Sequence, residues 1–127
     1  MTRVIHRFLV YVTRDVKGPA KYPNTLHFCN NHNETLKFRI RFNGPFTKTG
    51  LEGYVKYIRL VRNNEVIVGS DHTESQYLKL GPSECLDFDV EYYIDERLSE
   101  DLDYFRVKMI INGLLPIGGF QFDVVTD

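Results

Sequence analysis

From Leu36 to Phe42 the chain reads LKFRIRF, four large apolar residues alternating with three cations. Successive side chains of a strand point to opposite sides. Leu36, Phe38, Ile40 and Phe42 therefore share one face, and Lys37, Arg39 and Arg41 the other. The run from Cys85, CLDFDVEYYI, repeats the pattern with the sign reversed: Leu86, Phe88, Val90 and Tyr92 against Asp87, Asp89 and Glu91. Each strand must turn its apolar face to a core, and a slip of one residue would bury the charges, so alternation sets the register.

If the two runs are neighbours in one sheet, three cations lie opposite three anions. Opposite-charge cross-strand pairs contribute about 0.2–1 kcal/mol each and discriminate against like-charged neighbours. The pattern thus predicts that the two runs pair with each other. A solvated charged face and an electrostatic binding face for nucleic acid or an acidic protein are the competing readings. Phe38 and Phe42 face away from the cations, which counts against a base-stacking platform.

The remaining chain has the same texture, with short β-branched and aromatic runs divided by turn residues. Strands are expected at 4–13, 25–29, 35–42, 54–62, 65–69, 76–80, 85–94, 104–111 and 120–125. Asn63-Asn64 supplies two residues tolerant of positive φ, which makes 54–69 a hairpin. The charged stretch from Asp95 to Asp103 is the one place for a short helix. Eight or nine short strands with no long amphipathic helix imply an all-β fold, a single antiparallel β-sandwich spanning residues 1–127. The layout resembles an immunoglobulin-like or jelly-roll sandwich in architecture alone.

With 127 residues the chain fits one domain that can bury a core. Its net charge of −1 provides no global field for a polyanion, so a nucleic-acid site would have to be a local patch. No run reaches the roughly 18 apolar residues of a membrane helix, and the first residues do not read as a signal peptide. Two cysteines without C-x-x-C spacing suggest reduced thiols in an intracellular, cytoplasmic protein. On that premise the sequon Asn33-Glu34-Thr35 would not be glycosylated.

His27, Cys29 and His32 are the one metal-like grouping. A closed zinc site needs four ligands, and only His72 or Cys85 could complete it, so no metal and no cofactor are expected. The acidic residues Asp95, Glu96, Glu100, Asp101 and Asp103 lack the glycine-containing calcium loop. Ser70-Asp71-His72 holds the letters of a catalytic triad, but adjacent residues point apart, and no nucleophile elbow or phosphate loop is present. The chain reads as no enzyme.

Leu114-Leu115-Pro116-Ile117 is harder to place, because hairpin tips are normally polar. Either it plugs an open end of the sandwich or it awaits a partner, with Phe46 and Tyr22 at the same end. The expected function is a non-catalytic protein-interaction or structural module. It would self-associate as a homo-oligomer or bind a partner through Leu114, Leu115, Pro116, Ile117 and Phe46, or through an edge strand. A viral structural or accessory role fits such a chain. The alternative is nucleic-acid binding by Lys37, Arg39, Arg41, Lys56, Arg59 and Arg62 gathered on one face. No membrane partner is expected.

Overall fold

The two alternating runs are strands, but they lie in different sheets. The computed structural model describes residues 3–14, 18–98 and 115–126. Its strands are β1 (Arg3–Arg14), β2 (Gly18–Cys29), β3 (Leu36–Pro45), β4 (Val55–Arg62), β5 (Glu65–Gly69), β6 (Leu78–Leu80), β7 (Cys85–Ile94) and β8 (Leu115–Thr126). They form two four-stranded antiparallel sheets, ordered β1-β8-β3-β6 and β2-β7-β4-β5. This is a β-sandwich.

The expected pairing of LKFRIRF with CLDFDVEYYI is therefore wrong. β3 lies between β8 and β6, and β7 lies between β2 and β4. Alternation had identified the buried face of each strand, and those faces meet across the core. Phe38, Ile40, Phe122 and Val124 of the first sheet join Phe88, Val90, Ile58 and Leu60 of the second in one buried cluster. Aromatic rings bridge the layers: Phe8 stacks on Phe122 at 5.4 Å and meets Phe28 of the second sheet at 5.4 Å. The two sets of charges consequently sit on opposite outer surfaces.

Each set finds counterions within its own sheet. Arg7, Asp123 and Arg41 are directly opposite one another across β1, β8 and β3. The Asp123 carboxylate is only 2% exposed. It accepts hydrogen bonds from Arg7 Nε at 2.8 Å and from the Asn43 amide. Burial opposes its ionisation, but the bonds from Arg7 and Asn43 outweigh that and hold it below the usual carboxylate range. In the second sheet Glu91 is flanked in register by Lys21 and Arg59. Lys21 Nζ also lies 3.6 Å from Asp89.

The hairpin at 54–69 forms as expected, with Asn63 and Asn64 at φ 52° and 63°. β2 begins earlier than expected, taking in Pro19 and Pro23 with a register shift between Tyr22 and Leu26. An edge strand accepts proline because no neighbour needs its missing N–H. β8 also begins earlier, so the stretch read as a hairpin tip is strand from Leu115 onward, paired to β1. Of the short helix expected at 95–103, residues 95–98 are described. Asp95 accepts from the Arg97 side chain and backbone N–H, and these bonds lower its carboxyl to about 2. The strand expected at 104–111 lies outside the described residues. Among the described residues no helix is long and apolar enough to cross a membrane.

Candidate functional site

Among the described residues the two sheets present four edges, and short length or proline guards three of them. β2 carries Pro19, Pro23 and a bulge. β6 is three residues long and β5 five. Short length, proline and bulges are the usual devices against strand addition. β1 differs. It runs for 12 residues, RVIHRFLVYVTR, without glycine or proline. Its register against β8 is regular from His6 to Val12, between shifts at Val4/His6 and Val12/Thr13. Among the described residues its second side has no strand neighbour. Val4, Ile5 and Tyr11 are exposed along it, Tyr11 to 67%.

This edge is basic. Arg3, His6 and Arg7 lie along it, and its sequence has no acidic residue. The outer face beside it adds Arg41, Arg39 and Lys37 on β3, with Lys79 opposite Lys37 on β6. Tyr77 lies on the same face, its ring 4.4 Å from Lys37 Nζ and 3.9 Å from the Arg39 guanidinium carbon. Glu74 binds Arg39 and approaches Arg41 at 3.9 Å, so part of this charge is neutralised internally.

Lys56, Arg59 and Arg62 do not join that face. They belong to β4 in the other sheet, because β3 and β4 diverge into separate layers. Arg59 is engaged by Asp71 and packs 3.7 Å over the Tyr57 ring, while Lys56 Nζ stands 4.8 Å from the Tyr93 ring. The single six-cation surface expected from the sequence is thus split between opposite sides of the sandwich.

The apolar stretch is also redistributed. Ile117 is 0% exposed and belongs to the core, which removes it as a partner contact. Pro116 is half-buried, Leu115 lies on β8, and Leu114 falls outside the described residues. Phe46 does sit at this end: its N–H donates to the Gly119 carbonyl at 2.8 Å and its side chain is 62% exposed. The adjoining loop closes over the start of β8. Thr47 Oγ1 accepts from Gly119 N–H at 2.8 Å, and Glu52 accepts from Thr47 Oγ1 at 2.7 Å and Thr49 N–H at 2.9 Å. Partial burial works against ionisation of Glu52, yet those bonds bring its carboxyl down to about 2. Gly118 permits the closure, since a Cβ there would stand 2.7 Å from Glu52 Cγ. Tyr22 belongs to the other sheet, stacked on Tyr92, and reaches this end through it: the two hydroxyls are 2.9 Å apart, and Tyr92 Oη donates at 3.1 Å to the carbonyl of Thr13, which is opposite Pro116.

A second constellation lies on the outer face of β2 and β7. Cys29 is directly opposite Cys85 and bonded to it, with Cα atoms 4.1 Å apart. The expectation of reduced thiols is overturned, because strand register joins residues separated by 56 positions. Two positions along, His27 is opposite Asp87, with Nδ1 2.5 Å from a carboxylate oxygen. The other ring nitrogen, Nε2, stands 3.1 Å from Cys29 Sγ. All four residues are exposed. His32 is not part of the group; its backbone N–H donates to Asn30 Oδ1. Sequence reasoning placed His27 and Cys29 together and named Cys85 beside His72 as a residue that could complete the group, but only the β2–β7 register selects Cys85 and brings in Asp87.

The members of Ser70-Asp71-His72 point to separate partners. Ser70 Oγ accepts from Ile58 N–H at 3.1 Å and Asp71 engages Arg59, whose hydrogen bond holds it below the usual carboxylate range. The His72 backbone bonds back to Gly69. No protein-family model matches the chain, and no curated protein matches it.

Proposed function

We propose that the protein is a non-catalytic binding module that takes up an extended, acidic segment of a partner protein as an added strand beside β1. The observation that carries this reading is the edge itself, 12 residues long, unguarded by proline or glycine, and basic without an acid. Main-chain hydrogen bonds would supply affinity, and alternate side chains would supply selectivity. Acidic side chains on the added strand would meet Arg7 and the cationic outer face. A second copy of the chain is the poorer fit, because an antiparallel pair of β1 edges brings arginines together. The Cys29–Cys85 disulfide removes the basis on which an intracellular setting was expected, because disulfides persist mainly in oxidising compartments.

The test uses the full chain and a labelled peptide alternating valine with glutamate, followed by fluorescence anisotropy. Binding is expected to weaken at least tenfold in Tyr11→Glu, which sets a negative charge on the exposed edge. Lys56→Glu, on the other sheet, should leave it unchanged. Equal binding to both variants, or none to the unaltered chain, refutes the reading. So does a dimer in light scattering that Tyr11→Glu dissolves, since that would assign the edge to self-association.

Nucleic-acid binding retains one supporting observation, the Tyr77 ring between Lys37 and Arg39 on a basic face. Under that reading an oligonucleotide binds with a steep salt dependence and Tyr77→Ala weakens it.

A further inference from the structure

We propose that His27, Cys29 and Cys85 form a redox-gated site for a zinc-class divalent cation on the outer face of the second sheet. Register places the three side chains together, and their ligand atoms lie within 4.8 Å of one another. Zinc takes thiolate sulfur at about 2.3 Å and imidazole nitrogen at about 2.0–2.1 Å in a tetrahedron, which puts ligand atoms roughly 3–4 Å apart. Side-chain rotation of two exposed cysteines covers the difference once their S–S bond is open.

Asp87 makes the histidine a ligand rather than a bystander. A carboxylate that accepts a hydrogen bond from Nδ1–H keeps the proton on that nitrogen and leaves the Nε2 lone pair directed toward the sulfurs, 3.1 Å from Cys29 Sγ. Carboxylates behind ligating histidines orient the ring and raise its basicity in this way. Three protein ligands leave a fourth position for water or a further ligand.

The disulfide keeps the site closed. A dithiol reductant opens it: one thiolate attacks a protein sulfur, the S–S bond breaks, and a mixed disulfide forms. The second reductant thiol displaces it, and the reductant leaves as its own disulfide. Two electrons and two protons pass to Cys29 and Cys85. The cation then binds both sulfurs as thiolates and releases those two protons.

A purely structural disulfide makes the opposite forecast. The full chain is reduced with a phosphine, which takes its oxygen from water, and the phosphine is removed. Zinc alone is then titrated by calorimetry, and cobalt by absorption. One cation per chain is expected, with thiolate-to-cobalt charge-transfer bands, and none in the oxidised chain. His27→Ala should weaken binding at least tenfold, and Asp87→Asn about 10–100-fold. Both positions are exposed, so circular dichroism of these variants should match that of the unaltered chain. No binding by the reduced chain, or unweakened binding by His27→Ala, overturns the proposal. If reduction unfolds the chain, refolding on zinc addition supports it and failure to refold overturns it.

Discussion

Asp123→Asn tests the packing that replaces the expected charge ladder. The carboxylate is buried at the centre of a row running from Arg7 to Arg41. It accepts from Arg7 and from the Asn43 amide, while the Gln121 amide stands 3.4 Å away. The substituted amide keeps one oxygen, which can serve Arg7 or Asn43 but not both. Its NH2 faces donors and finds an acceptor only if the Asn43 amide turns over, which ends that residue's own donation. A hydrogen bond to a charged group is worth about 1.5–3 kcal/mol, and a buried unsatisfied group costs about 1–3. Arg7 is 58% exposed and recovers hydration, which places its share at the low end. The expected loss is about 2–3 kcal/mol. For a chain of this size that corresponds to a Tm roughly 8–12 °C lower. Urea unfolding should show a lower midpoint at unchanged slope. A loss under about 0.5 kcal/mol would refute a buried, bonded Asp123 and with it the β1–β8–β3 register.

Gly118→Ala should destabilise by about 1–3 kcal/mol, because its Cβ meets Glu52 Cγ at 2.7 Å, and unchanged urea stability would contradict the loop closure. Acid should also unfold the chain. Asp123, Glu52 and Asp95 all have folded pKa values below their ordinary ones, so their stabilisation is complete above the unfolded values of 3.8 and 4.5. It is lost as pH falls through the folded values, about 2 for Glu52 and Asp95. The urea midpoint should therefore drop steadily below about pH 4.5, and a flat profile would be inconsistent with these bonds. A double-mutant cycle should find about 0.2–1 kcal/mol of coupling between Arg39 and Glu74, and none between Arg39 and Asp89 in the opposite sheet. The reverse result would restore the pairing of the two alternating runs.

Period-two alternation made the buried faces legible. Phe38, Ile40, Phe88 and Val90 are core residues as their spacing requires. It said nothing about which strand stands beside which, because a strand in either sheet satisfies the same pattern. Complementary charge suggested a neighbour, but exposed pairs are too weak to choose a topology against the packing of two apolar faces. Pro19 and Pro23 looked like loop signals until β2 proved to be an edge, where a missing N–H is harmless. Ile117 could be read as a plug or as a partner contact, because Gly113, Gly118 and Gly119 suggested a turn. Instead, Gly118 and Gly119 admit the Thr47–Glu52 loop and the Tyr11 ring close to the strand. The Cys-His pair of β2 was visible at its two-residue spacing. Cys85 could be named as a possible partner but not chosen over His72 without register, since 56 residues separate the cysteines, and Asp87 gave no signal. The β1 edge had a readable signal in its unbroken 12-residue run without glycine or proline.

Amide hydrogen exchange along β1 in the isolated chain tests the open edge most directly. Alternate residues of an edge strand point their N–H groups toward the neighbouring strand and away from it. Between Arg7 and Val12, amides bonded to β8 should be protected, and the alternate amides should exchange at rates close to those of an unstructured chain. Uninterrupted protection of all these amides would mean that the second side of β1 is already occupied, and would contradict its assignment as the binding edge.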